Sequence, residues 1–210
     1  MTRLAVLDAG TYYHHRTIYE PRYHDIFDEI IYTRDLPEVD LSAFDTLLVS
    51  CRTDPSVLRP RREQIADFLA RGKTVVAMGS TGHPDWLPDV KWTDTPTNFW
   101  WWKEGGEIGL KIAAPDHPLF TRLTLADVTW HYHGYFQVPD GAQSLVDVGE
   151  FGSIFYEDTV STPGRLLITS LDPMYHHGSY FMPATTRFLD GFLPYLKGIG
   201  AGLAKRTSAP

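Results

Sequence analysis

The sequence holds a single cysteine, Cys51, in 210 residues. One thiol cannot close an intrachain disulfide, so the fold has to be held by its core, and a reducing cytoplasm is the expected setting. No stretch approaches the roughly 20 apolar residues of a membrane-spanning helix, so no membrane partner is expected. The opening Met1–Asp8 is charged at Arg3 and apolar for only a few residues, which reads as a first strand and not as a signal peptide. Like charges never gather into runs, and a net charge of −7 has the wrong sign for a nucleic-acid footprint. A small neutral or polar ligand is the expected partner. GxGxxG, GxxxxGK and HExxH are all missing, so Gly79 and Gly82 signal no nucleotide cradle. Internal repeats, low-complexity segments and linkers are missing as well, and residues 1–210 are expected to form one domain.

What is present is a patterned α/β sequence, 43% hydrophobic. Leu4–Leu7 predicts a buried strand, followed by a polar, aromatic loop over Thr11–Thr17 and a helix around Tyr23–Glu29. Further strands are expected at Ile30–Thr33, Asp45–Ser50 and Thr74–Met78. Arg59–Arg71 predicts a helix, with Ile65, Phe68 and Leu69 on one face and Gly72 as its stop. Strands alternating with helical connections imply a doubly wound, mostly parallel sheet. The second half reads differently, with short extended pieces at Leu110–Ala113, Val128–Val138, Ser144–Val148 and Ile154–Glu157 that predict β-hairpin additions. Gly164–Ser170 restores a buried strand. Thr185–Leu196, with Phe188, Leu189, Phe192 and Leu196 on one face, predicts a closing helix, and the tail from Gly198 is expected to fray.

The chain is organised around Lys73–His83, a β-branched run that breaks into Gly79, Ser80, Thr81 and Gly82. Small residues at a strand end let the backbone turn sharply and raise one side chain into a cleft; here that side chain is Ser80. The stretch Met78-Gly-Ser-Thr-Gly-His83 resembles the nucleophile elbow of class I glutamine amidotransferases, with Ser80 in the cysteine position. The His-rich loop after the first strand, His117-Pro-Leu119 with His131-Tyr-His-Gly-Tyr135, and Gly164–Leu171 are similar to the ThuA-like (trehalose-utilisation) branch of that superfamily. The resemblance spans most of the chain and implies a flavodoxin-like fold. It does not extend to glutaminase activity: the elbow has no cysteine, Leu171–His177 stands where an amidotransferase has His-Pro-Glu, and Ser50-Cys51-Arg52 stands where an oxyanion-hole glycine is expected.

Ser80 is the candidate nucleophile if an imidazole takes its proton, with His83, His131 and His176 as the available bases. The competing reading is that Ser80 caps the following helix. Cys51 lies at a strand end near the same cleft, either as a thiolate or as a small buried apolar residue. Arg52 beside it suits a ligand carboxylate or a salt bridge. The pairs His14-His15, His131-x-His133 and His176-His177 come from three segments that this fold brings toward the carboxyl edge of the sheet. In a strand His131 and His133 would share a face, the spacing two Zn²⁺ ligands need, with a third from His176, His177, His14 or Asp172. With no metalloprotease-type signature the reading assigns no metal, Zn²⁺ at His131 and His133 being the lesser alternative. Trp100–Trp102, Trp130, Tyr132, Tyr135, Tyr175 and Tyr180 fit either stacking platforms for a sugar ring or core and a homo-oligomer interface. The expected function is therefore binding or processing of a small polar molecule, with carbohydrate as the candidate class. The expected cleft is lined by Ser80, His83, His131, His14, His15, Arg52, His133, His176, His177, Trp130 and Tyr135. The alternative is a non-catalytic binding or assembly subunit that keeps the fold.

Overall fold

Alternate residues of the early strands turn to opposite faces of the sheet, and both faces are apolar. Leu4 and Val6 of the first strand join one buried layer, Ala5 and Leu7 the other. Runs of this kind need cover on both sides, which parallel strands with helical crossovers provide. The structure is a computed structural model, and it describes residues 2–95, 103 and 107–203, the last five for their backbone alone. Its strands, in chain order, are β1 (Leu4–Asp8), β2 (Glu29–Tyr32), β3 (Thr46–Val49), β4 (Thr74–Met78), β5 (Lys91–Asp94), β6 (Leu110–Ile112), β7 (Gly134–Gln137), β8 (Gln143–Val148), β9 (Gly152–Asp158) and β10 (Arg165–Thr169). They form one sheet with the order β2-β1-β3-β4-β10-β9-β7-β5, and β8 and β6 branch from β9.

The pairings from β2 through β10 are parallel. All pairings beyond β10 are antiparallel, as hairpin additions should be. Five parallel strands in the order 2-1-3-4-10 make a doubly wound, flavodoxin-like α/β core.

The helices are α1 (Tyr12–Tyr19), α2 (Pro55–Leu58), α3 (Arg62–Ala70), α4 (His83–Trp86), α5 (Pro173–Gly178) and α6 (Pro183–Leu203). α3 lays Ile65, Phe68 and Leu69 on one face of the sheet beside Leu58 and Trp86. α1, α5 and α6 cover the other, with Ile18, Met174, Phe188, Leu189 and Phe192. Each such fully buried side chain contributes about 1.5–3 kcal/mol.

Four expectations are corrected. Residues 12–19 form α1 where a loop was expected, and the helix expected at Tyr23–Glu29 is only a 3₁₀ turn, His24–Ile26. The buried face of α1 is His14, Thr17 and Ile18, so its pattern is largely polar, while Thr11 caps it and Pro21 follows its end. Of the extended stretch Val128–Val138, only Gly134–Gln137 pairs as a strand among the described residues. Helix α6 continues past Gly198 to Leu203. The tryptophan run Trp100–Trp102 lies outside the described residues.

α1 meets α5 at Gly178, where a Cβ would come within 2.3 Å of the Tyr13 carbonyl oxygen. Gly178→Ala should lower stability by about 1–3 kcal/mol, read as a drop in thermal midpoint. In the antiparallel half, Glu157 accepts a hydrogen bond from Arg165 Nε at 2.5 Å and lies 3.5 Å from His117 Nε2. Burial opposes its ionisation, but His117 and Arg165 outweigh burial and hold the carboxyl below its ordinary value of 4.5. A depressed acid contributes stability above its unfolded pKa and loses it as pH falls through the folded value. Stability should therefore fall as pH drops below about 4.5, and Glu157→Gln should flatten that decline in acid denaturation curves.

Candidate functional site

Three parallel strands end side by side, and the residues just past their ends build the site. β3 leads into Ser50, Cys51 and Arg52, β4 into Gly79 and Ser80, and β10 into Ser170, Leu171 and Asp172. The turns touch: a Cβ on Gly79, where φ is +66°, would sit 2.6 Å from Cys51 Cβ and 3.2 Å from Asp172 Cβ. Only glycine fits there, because both the conformation and the space exclude a side chain.

Asp172 is the centre. It is fully buried at the N-terminus of α5, yet its carboxylate is met by four side chains from three segments. Arg52 donates to Oδ2 from Nε at 3.0 Å, with Nη2 2.9 Å from the same oxygen. His176 Nε2 stands 3.0 Å from Oδ1, one helical turn along α5. Trp130 Nε1 donates to Oδ1 at 3.4 Å, and His133 Nε2 approaches Oδ2 to 3.6 Å. Burial alone would raise the pKa of Asp172, but His133, His176 and Arg52 more than compensate and hold the carboxyl far below the usual carboxylate range.

Arg52 holds a left-handed backbone, φ +60°, uncommon for a residue with a side chain, and its guanidinium lies 3.7 Å from the centroid of the Tyr175 ring. His131 Nε2 is 3.2 Å from His176 Nε2, and the His131 and His133 rings are 5.4 Å apart. Burial, with the charges of His176, His133 and Arg52, pushes the pKa of His131 down to about 4 against the pull of Asp172. Its imidazole is neutral at neutral pH.

The structure thus gathers Arg52, His131, His133, His176 and Trp130 around one carboxylate. The other candidates lie elsewhere. Ser80 is exposed and hydrogen-bonds to no imidazole among the described residues, and the N-cap of α4 is Gly82, with φ +63°, so Ser80 does not cap that helix. His83 packs on the far face of the sheet among Trp86, Trp92 and Phe136, its Nε2 unpartnered and its pKa pushed down to about 3 by burial. Buried among these aromatic rings and not hydrogen-bonded to Ser80, it is not positioned to act as a base for Ser80.

His14 is a buried brace: Nδ1 accepts from the Ala9 N–H at 3.3 Å, so Nε2 carries the proton and donates to the Cys51 carbonyl at 2.8 Å. His15 is exposed and stacked on Tyr19. Tyr135 packs beside Phe151, and His177 Nδ1 pairs with Thr186 Oγ1 at 2.8 Å. The Cys51 thiol is fully buried, and burial, with Asp172 nearby, pushes its pKa up, so it supplies no thiolate.

Two clefts open beside the centre. One, about 410 Å³, includes Arg22, His176, His177, Tyr180, Phe181 and Asp190 in its lining. The other, about 250 Å³, lies across Arg52 toward Thr11, Arg34, Asp54 and Ser56. Phe181 against His176 was not singled out from the sequence; Tyr175 was named only as a stacking aromatic and Asp172 only as a possible third metal ligand, not as the partner of Arg52 and the centre of the site. The available signal was Asp172-Pro173 directly after a buried strand, with His176 at i+4, a spacing that brings the two side chains together across one helical turn.

No family model matches the sequence, and no curated protein matches it. Among solved structures the chain resembles a candidate GMP synthase component from Thermoplasma acidophilum, with TM-score 0.59 and 12% identity over 97% of this chain and 98% of that one. It also resembles the exo-β-1,4-mannosidase Op5Man5 from Opitutaceae bacterium strain TAV5, with TM-score 0.50 and 11% identity over 90% of this chain. The chain spans about a third of the mannosidase, 34% of its length. At these identities the likeness is one of fold.

Asp172→Asn removes the charge that faces Arg52 and His176 while keeping the shape. It should cost about 2–3 kcal/mol, somewhat less than a fully buried pair because Arg52 is partly exposed, and lower the thermal midpoint by about 5–10 °C. Ser80→Ala, at an exposed side chain, should stay within about 0.5 kcal/mol of the parent.

Proposed function

We propose that this chain binds a small polar molecule, with a carbohydrate as the first candidate, and processes it by histidine acid–base chemistry around Asp172 instead of hydrolysing glutamine. The observation that carries the reading is the convergence of Arg52, His131, His133 and His176 on one buried carboxylate at the carboxyl edge of the parallel strands, the place where open α/β sheets bind ligands. Arg52 uses two of its five N–H groups on Asp172 and is about a third exposed, 35%, so the remainder can meet a ligand oxygen. Asp172 orients His176, and His131 stands within reach of it, an arrangement suited to moving a proton to or from a bound hydroxyl or carbonyl.

The adjoining cleft supports the sugar assignment. Tyr180 and Phe181 expose 61% and 54% of their surface beside Arg22, Asp190 and His177, which offers ring faces for stacking and polar groups for hydroxyls. An exo-mannosidase among the structures of similar fold is in keeping with that class of ligand. The motifs around His117, His131 and Gly164 favour membership of the ThuA-like branch of the class I amidotransferase-like superfamily. A second reading, a binding subunit without turnover, is favoured by the elbow itself, where no imidazole among the described residues reaches Ser80 and Cys51 has no access to solvent.

The test is a thermal-shift panel of monosaccharides, disaccharides and sugar acids. A ligand at about ten times its Kd should add about 1.4 kcal/mol and raise the midpoint by about 3–5 °C. Arg52→Gln should abolish the rise, and glutamine should release no ammonia. A panel without any shift at tens of millimolar, or a shift unchanged in Arg52→Gln, would overturn the reading; a shift without turnover would select the binding subunit.

A further inference from the structure

We infer that His131, Asp172 and His176 form a binding site for one divalent transition metal ion, Zn²⁺ or a close analogue. Each of the three buried side chains brings a ligand atom within 4.8 Å of the others. Two of the spacings are those of a coordination shell: 3.2 Å between the Nε2 atoms of His131 and His176, and 3.0 Å from His176 Nε2 to Asp172 Oδ1. Ligand atoms bound at 2.0–2.1 Å in a tetrahedral site stand about 3.3 Å apart.

Proton accounting gives the physical reason. A ring nitrogen has one in-plane position, which holds either a hydrogen or a lone pair. If His176 Nε2 carries the hydrogen, that hydrogen must be divided between Asp172 Oδ1 and His131 Nε2. If His131 donates to His176 instead, His176 turns a lone pair onto a carboxylate oxygen at 3.0 Å. In neither arrangement do both short contacts receive a hydrogen of their own. A cation at the centre accepts all three lone pairs at once.

The surroundings fit this occupancy. Arg52 binds Oδ2 and leaves Oδ1 to face the histidines. With Nε2 as the donor atom, the His176 proton belongs on Nδ1, which hydrogen-bonds to nothing among the described residues and lies in a ring packed edge-on to Phe181 at 4.7 Å. Two imidazoles and a carboxylate are a Zn²⁺ donor set that leaves a position for water or a ligand oxygen. The ion would thus sit beside Arg52, where both positive groups attract an electron-rich oxygen. The site shares its residues with the proposed ligand site and, when occupied, takes up the Nε2 lone pairs of His131 and His176, so that a metal-bound water would move the proton in place of these imidazoles; its test needs no ligand, so either can fail alone.

The experiment is calorimetric titration of the chelator-treated chain with Zn²⁺, alongside visible absorption on Co²⁺ addition. Expected are one equivalent bound with sub-micromolar Kd, d–d bands from Co²⁺, and an affinity loss of about 100-fold or more in His131→Ala and in His176→Gln. His15→Ala, at an exposed histidine, should bind like the parent. If a variant fails to fold by circular dichroism, the other decides. No binding by the parent, or equal affinity in a folded variant, overturns the site. A sugar-induced thermal shift that survives chelation together with absent Zn²⁺ binding would keep the ligand site and discard the metal.

Discussion

A carboxylate sealed away from water costs several kcal/mol unless charged and hydrogen-bonding partners surround it, and Asp172 is such a carboxylate. Its partners come from the turn after β3, from the segment before β7 and from α5, so satisfying one charge ties together segments up to 120 residues apart in sequence. The left-handed backbone of Arg52 and the bare Cα of Gly79 follow from this demand. Arg52 has to swing back over the strand ends to reach Asp172, and Gly79 has to let Cys51 and Asp172 pass close by. Strain of this kind persists only where the surroundings over-determine it, and such places cluster at functional sites.

The sheet that carries this centre divides the histidines into different chemical environments. His83, among Trp86, Trp92 and Phe136, is an uncharged part of the core. His14 is spent on holding the β3 turn to α1, with both ring nitrogens engaged. His131 and His176 share a buried polar pocket in which each faces the other and Asp172. One residue type thus serves as filler, brace and member of a buried polar cluster, and the difference lies in what surrounds each ring.

The elbow after β4 illustrates how a fold feature and a chemical role separate. The glycines at 79 and 82 hold left-handed conformations and keep the tight turn. The raised side chain, Ser80, nonetheless projects to solvent, while the polar chemistry has gathered at the ends of β3 and β10. Similarity of fold to a candidate GMP synthase component and to part of a mannosidase is compatible with this separation, because a scaffold is set by its core and a site by a few side chains placed on it.

By itself the sequence determined the sheet and most of its cover. Thr74–Met78 is the strand that its β-branched run predicts, and Ile65, Phe68 and Leu69 bury the face that their spacing predicts, because both signals are local and repeat with the period of the backbone. Helix α1 escaped that logic, since its buried side chains are His14, Thr17 and Ile18, and a largely polar face carries no hydrophobic period. The grouping of the histidines was decided only by tertiary structure. His131 and His133 approach each other in the non-strand segment that precedes β7, not along a strand, and what assigns them to one site is the buried carboxylate of Asp172, far along the chain. Periodicity reports which way a side chain faces its own element; it is silent on which distant charge that side chain will meet, because burying a charge is settled by the whole fold at once.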